Sequence, residues 1–275
     1  MSKELSIGTL LRLPDMTAEM LAFLKSAGLE TTQIARAGDD WMNGAAGVEH
    51  SEQSFRLLAE HGLDCVSLFM GMAPDTTGDG FATEECRTSR MLFATRQLLW
   101  AKKHGIKYVT CHVGALASIG EGAAYKRLVS DYQQLLRFAE ENEQYFLFET
   151  GPESVAGLKK IFADIGSPNL GINFDPANFL WYNQDDPSVL VEEMWQSIKV
   201  VHCKDAVRPA QGEPHGHETV LGQGGTNFVQ LMHNLLDKGY RGPLIIEREL
   251  PYGPVQQKDV AEAIRLLQQI RSEYV

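Results

Sequence analysis

Short apolar or β-branched runs alternate with longer stretches of helical period along all 275 residues, as repeated βα units on a parallel sheet require. Eight rounds are legible. Strands are predicted at Leu5–Leu10, Leu29–Ala35, Leu63–Met70, Ile106–Val113, Tyr145–Glu149, Leu170–Phe174, Lys199–Ala206 and Leu244–Glu247. Helices follow near Met16–Ala27, Glu49–Glu60, up to His104, Tyr125–Asn142, Ser154–Ile165, Pro187–Ser197 and Phe228–Lys238. A closing helix carries Val260, Ile264, Leu267 and Ile270 on one side. Gly28, Gly62 and Gly105 stand where helices should stop. In Tyr125–Asn142 the spacing of Leu128, Tyr132, Leu135 and Ala139 makes one apolar face. The expected fold is a single (β/α)8 barrel over residues 1–275. An open doubly wound sheet fits less well, because the segment after the first strand, IGTLLRLPD, has no GxGxxG phosphate fingerprint.

Two loops break the even beat. Pro74–Gly80 is polar and glycine-rich, and Arg208–Thr226 is the longest irregular segment; such loops often carry function.

Composition narrows the class. With 44% hydrophobic residues, a mean hydropathy of −0.21 and no window near the ~20 apolar residues of a membrane span, the sequence reads as a cytoplasmic globular protein. The start, MSKELSIGTLLRLPD, lacks the apolar core and cleavage site of a signal peptide. A formal charge of −11 and a pI near 5.2 oppose a nucleic-acid or anionic-membrane surface, so a small-molecule partner is expected. Cys65, Cys86, Cys111 and Cys203 have neither CxxC nor zinc-finger spacing and read as reduced buried thiols.

The candidate chemistry lies at strand ends. KVVHCKDA, Lys199–Ala206, places Val200, His202 and Lys204 on one strand face and Val201, Cys203 and Asp205 on the other. A buried imidazole and ammonium are costly without partners. Asp205 reads as an outward structural cap; taken alone, the pair reads as a backbone-satisfied core histidine and a lysine that snorkels outward. The neighbouring strands reverse that reading. Strand five ends in Glu149 (LFETG), strand six in Asp175 (NFDPAN), strand seven in His202 and strand eight in Glu247 (IIERE), spaced 26, 27 and 45 residues apart. Barrel sites form at the C-terminal ends of strands. Three carboxylates converging there repel one another unless a cation neutralises them. Oxygen-rich ligation with one imidazole suits Mn2+ foremost, with Mg2+, Co2+ or Zn2+ as alternatives.

FETG, NFDPAN, VHCKDA, LGQG and GYRGPLIIERE resemble the motifs of the xylose isomerase-like barrel superfamily, in particular its sugar isomerase and epimerase branch, from about Tyr145 to Glu249. The resemblance implies one divalent metal on Glu149, Asp175, His202 and Glu247, with the two glutamates also acting as acid and base. It implies substrate contacts at Asn178, where the ketose 3-epimerases carry histidine, and at Arg208. It also implies a homo-oligomer, dimer or tetramer. The expected reaction is isomerisation or epimerisation of a ketose or keto-sugar through an enediolate. The competing readings are a keto-sugar or keto-inositol dehydratase on the same site, a Schiff-base aldolase using Lys204, and a barrel that binds a sugar without turnover.

Secondary candidates have ordinary explanations beside the functional ones. His112 (TCHVG) is a substrate contact or a packed strand histidine, and Lys204 holds a substrate oxygen or pairs with Glu247 or Glu249. Trp41, Phe69 and Trp181 stack on a sugar or belong to core and subunit contacts. His215 and His217 (PHGHE) admit a second-metal reading of the endonuclease IV kind, which the acidic charge opposes. No basic cluster beyond Lys204 and Arg208 seats a phosphate, so a non-phosphorylated substrate is expected.

Overall fold

Eight parallel strands close into a barrel in the computed structural model, which describes residues 4–35, 39–42, 44–71, 81, 86–114, 116 and 120–275. The chain runs β1 (Ile7–Arg12), α1 (Ala18–Ala27), β2 (Thr31–Ala35), α2 (Asp39–Met42), α3 (Gly44–Glu60), β3 (Asp64–Phe69), α4 (Arg87–Lys103), β4 (Tyr108–His112), α5 (Ala123–Glu141), β5 (Tyr145–Glu149), α6 (Val155–Ile165), β6 (Leu170–Phe174), α7 (Pro176–Trp181) and α8 (Pro187–Met194). It continues through β7 (Ile198–Cys203), β8 (Asp205–Val207), β9 (His217–Thr219), α9 (Phe228–Asp237), β10 (Leu244–Ile246) and α10 (Pro254–Arg271). Barrel order is β1-β10-β7-β6-β5-β4-β3-β2, and β8 and β9 form a separate antiparallel hairpin. The loop Pro74–Gly80 lies outside the described residues. No helix among the described residues is long and apolar enough to cross a membrane.

Local chemistry accounts for the element ends. Thr17 Oγ accepts from the Met20 amide at the start of α1, and Gly28, at φ +104°, closes that helix. Ser154 caps α6 by accepting from the Gly157 amide. The predicted apolar face of α5 is buried at Leu128, Tyr132, Leu135 and Ala139, and that of α10 at Val260, Ile264, Leu267 and Ile270. Between barrel and helices, Tyr132, Phe146, Phe148 and Phe162 pack as an aromatic group. Inside the barrel, Val66, Leu147, Val200 and Ile245 fill the space below the site.

Several element boundaries differ from the sequence expectation, β2, β3, β4 and β10 being shorter by one or two residues at one or both ends. β1 begins two residues later than Leu5 and reaches Arg12, because Gly8–Arg12 pair in register with Thr31–Ala35. α3 begins at Gly44 rather than Glu49. The single strand expected over Lys199–Ala206 is two: the ladder stops at Cys203, and the chain turns at Lys204 into the β8–β9 hairpin. Two ladder irregularities flank the site, one between β2 and β3 at Thr32/Gln33 and one between β6 and β7 at Ile172/Asn173. Such bulges re-aim side chains near functional sites. None of the four cysteines is in a disulfide; Cys111 and Cys203 are buried, whereas Cys65 and Cys86 are only half-buried, in contrast to the expectation.

Candidate metal and substrate site

The strand ends that carry Glu149, Asp175, His202 and Glu247 converge. Each residue offers one ligand atom, and the four atoms lie within 4.8 Å of one another. His202 Nδ1 is 2.9 Å from Glu149 Oε1, 2.7 Å from Glu247 Oε2 and 3.9 Å from Asp175 Oδ2. Local sequence sets these directions. Asp175 is the N-cap of α7: its Oδ1 accepts from the Ala177 and Asn178 amides at 2.8 and 3.2 Å, and Pro176 occupies the first helical position. With Oδ1 so engaged, Oδ2 faces the cluster. Thr150 pins the Asp175 backbone from both sides, its hydroxyl accepting from the Asp175 amide and donating to the Asp175 carbonyl.

The donor set fits a divalent cation. Glu149 Oε2, Asp175 Oδ2, His202 Nδ1 and Glu247 Oε2 are buried, and no hydrogen bond of acceptable geometry satisfies them. Close approach without alignment is what four groups show when they point at a common centre. Buried polar atoms are otherwise rarely left so. Burial pulls the His202 imidazole down, but Glu247 and Glu149 outweigh it and lift it to about 10. Burial lifts Asp175 to about 7, with Glu247 and Glu149 adding to the rise against Lys204. Burial would also raise Glu149, but His112 and His202 hold it down at about 2. Glu247 is likewise held well below the carboxylate range against its burial, by Lys204 and His202.

Above this cluster opens a cavity of about 840 Å³ at the C-terminal ends of the strands. Glu149, Glu247, His112, Asn178 and Lys204 all line it, with Phe69 and Trp181 supplying apolar walls. His112 Nδ1 stands 2.8 Å from Glu149 Oε2. Asn178 Nδ2 donates to the Thr150 carbonyl. The Lys204 ammonium contacts Glu249 and lies 3.5 Å from Glu247 and 3.7 Å from Asp175, so the alternative pairing expected for it is present. Phe69 stacks on His202 and meets His112 edge-on.

Other expected participants lie elsewhere. Arg208 is on the rim, its guanidinium donating to Asn183 Oδ1 and to the carbonyls of Gln184 and Asp185, and it is not among the residues lining the cavity. Trp41 packs against the core beside His50. His215 stacks on Trp181, and His217 is exposed on β9; among the described residues neither belongs to a metal-competent group. Asp205 is buried rather than outward. Its carboxylate accepts from the amides of Gly222, Gly224 and Thr226 and from the Thr226 hydroxyl, and so organises the loop after β9.

Sequence reasoning missed Gln33 and Asn173, buried in β2 and β6, whose side chains reach His202 Nε2 at 2.6 and 3.0 Å. Their signal was a carboxamide in a strand where an apolar residue is usual.

Residues 21–270 match the family described as xylose isomerase-like TIM barrel. The chain belongs to that family. This xylose isomerase-like TIM barrel is similar to a xylose isomerase domain protein from Planctomyces limnophilus, with 29% identity, a TM-score of 0.87, and 98% of this chain and 99% of the other covered. At 17% identity and a TM-score of 0.72 it shares its fold with a xylose isomerase-like TIM barrel protein from Mycobacterium smegmatis solved with magnesium, covering 100% and 98%. At 15% identity and the same TM-score it shares its fold with 3-keto-D-glucoside 4-epimerase from E. coli, covering 97% and 100%. None of the curated proteins compared with this xylose isomerase-like TIM barrel matches its sequence.

Proposed function

We propose that this barrel is a divalent-metal-dependent sugar isomerase or epimerase that moves a proton next to the carbonyl of a ketose or keto-sugar through an enediolate. The observation that carries the reading is the pair Glu149 and Glu247: two carboxylates that face one cavity from different strands and share one imidazole. Glu149, Asp175, His202 and Glu247 would hold the ion, Mn2+ foremost; its chemistry is Lewis-acid polarisation of a carbonyl, which acidifies the adjacent C–H. The magnesium in the M. smegmatis relative supports a hard divalent ion.

One glutamate takes the proton and the other, on the far side of the substrate and carrying a proton drawn from solvent, delivers that proton to the opposite face, giving epimerisation; return of the abstracted proton to the neighbouring carbon gives isomerisation. In the free protein both are held ionised by their neighbours, so either can serve as the base, and the partner takes up a proton before acting as the acid. His112, Asn178 and Lys204 hold substrate oxygens. Arg208 would reach substrate only by leaving its rim carbonyls. The Schiff-base reading is disfavoured: burial lowers the Lys204 ammonium, but Glu247, Asp175 and Glu249 raise it well above the usual range, so the free amine it needs is scarce.

The test is a panel of ketoses and keto-sugars with Mn2+ in D2O, followed by proton NMR. Exchange beside the carbonyl with the carbon skeleton retained is expected, lost with EDTA and reduced about 10²- to 10⁴-fold in Glu149→Gln and Glu247→Gln. Elimination of water would instead establish a dehydratase, and full activity in either variant would overturn the assignment of the two glutamates.

A further inference from the structure

Gln33 stands on β2, across the barrel from His202, and both side chains are fully buried. Gln33 Oε1 is 2.6 Å from His202 Nε2, and its Nε2 donates to Ser67 Oγ at 2.9 Å. The irregularity between β2 and β3 places Ser67 opposite Gln33, where even pairing would have brought Val66. The geometry points to Gln33 as a positioning residue for the metal centre: its Oε1 accepts a hydrogen bond from His202 Nε2–H, so the Nδ1 lone pair faces Glu149, Asp175 and Glu247. The inference rests on the metal-site reading above.

A neutral imidazole has one N–H and one lone pair, and only the lone pair binds a cation. The partner of the second nitrogen therefore decides whether Nδ1 serves as a ligand. Ser67 holds the Gln33 carboxamide in this orientation, its hydroxyl accepting from the amide nitrogen so that the oxygen faces the histidine. Asn173 Nδ2, 3.0 Å from the same Nε2, favours the opposite tautomer as it stands. The shorter contact is the one to the acceptor of Gln33. Asn173 Oδ1 has no hydrogen-bond partner, so exchanging the two ends of that amide gives Nε2–H a second acceptor and removes the conflict. Rings held this way lose only the freedom that a metal ligand should lack.

The experiment measures Mn2+ affinity by competition with a fluorescent chelator, together with the 15N and 1H signals of His202 in the diamagnetic Mg2+-loaded protein. Gln33→Leu is expected to weaken Mn2+ about 10- to 100-fold and to lose the protected Nε2–H signal. Gln33→Glu, which keeps an acceptor at the same reach, should recover most of the affinity, whereas a role in packing alone would not separate the two variants. Should Gln33→Leu fail to fold, Ser67→Ala, which frees the carboxamide to turn, is expected to weaken Mn2+ in the same direction. Wild-type protein that takes up neither metal overturns the metal site itself. Wild-type protein that binds Mn2+ while Gln33→Leu, or Ser67→Ala in its place, binds it equally well overturns the role of Gln33 alone, as does a His202 carrying its proton on Nδ1 in the loaded protein.

Discussion

Glu153 sits in the turn after β5, only 4% exposed, and neither of its carboxylate oxygens has a hydrogen bond of good geometry. Burial pushes its carboxyl up to about 7 from an ordinary 4.5, against the nearby backbone amides of Glu153 and Gly151 and against His112, with Glu149 adding a little to the rise. Between pH 4.5 and 7 the native protein keeps a proton that the unfolded chain has lost, so the stability linked to Glu153 is full below 4.5 and disappears as pH rises through 7. The gap corresponds to roughly 3 kcal/mol. Glu153→Gln should therefore stabilise the protein more at pH 8 than at pH 5, read as the difference in urea-unfolding free energy between variant and wild type at each pH. An equal difference at both pH values would show that Glu153 is charged throughout. No feature of the linear sequence marked this residue, because a glutamate before a helix cap resembles any solvated turn carboxylate. The four cluster residues were legible for the opposite reason: each replaces the apolar residue a strand end should carry. Gln33 was not, since its partner lies 169 positions away.

At the scale of elements, β5 and β6 coincide with their predicted bounds, Tyr145–Glu149 and Leu170–Phe174, because each is a short, mostly apolar run closed by an acidic residue, Glu149 or Asp175, at which the next turn begins. The β8–β9 hairpin was hidden, because its pairing of Asp205 with Thr219 joins three-residue segments across a loop. That hairpin also explains Arg208, which follows β8 and is turned by it toward the carbonyls after α7. Gly216 belongs to the same arrangement: a Cβ there would collide with the Val207 carbonyl. The junction of β6 and α7 makes one aspartate serve two elements, and its roles separate experimentally. Asp175→Asn keeps an oxygen for the Ala177 and Asn178 amides but loses the ligand charge; Asp175→Ala loses both. Both variants should lose metal affinity. Only the alanine variant should lose the cap as well, about 1 kcal/mol more stability in the metal-free protein. Equal metal-free stabilities by urea unfolding would remove Asp175 from its capping role.

For the whole molecule, the barrel holds a cluster that balances its charge without an ion only by retaining protons. With Asp175 raised to about 7 and His202 to about 10, the metal-free cluster at neutral pH keeps the His202 proton and about half of that on Asp175, alongside the Lys204 ammonium. A divalent ion competes with those protons, so its binding must release them and tighten as pH rises. Below pH 7 two groups must deprotonate and affinity should change up to about 100-fold per pH unit; between 7 and 10 one remains and the dependence falls to about tenfold. An ion that binds only the folded barrel adds about 2.7 kcal/mol at 100 Kd. At about 2–4 °C per kcal/mol for a chain of this size, that is roughly 5–10 °C in Tm. Thermal unfolding at pH 6, 7.5 and 9, at one fixed Mn2+ concentration and with EDTA as reference, is therefore expected to show a Tm gain that grows with pH and vanishes in Asp175→Asn. A gain that is constant with pH, or that survives in Asp175→Asn, would place the ion somewhere other than among Glu149, Asp175, His202 and Glu247.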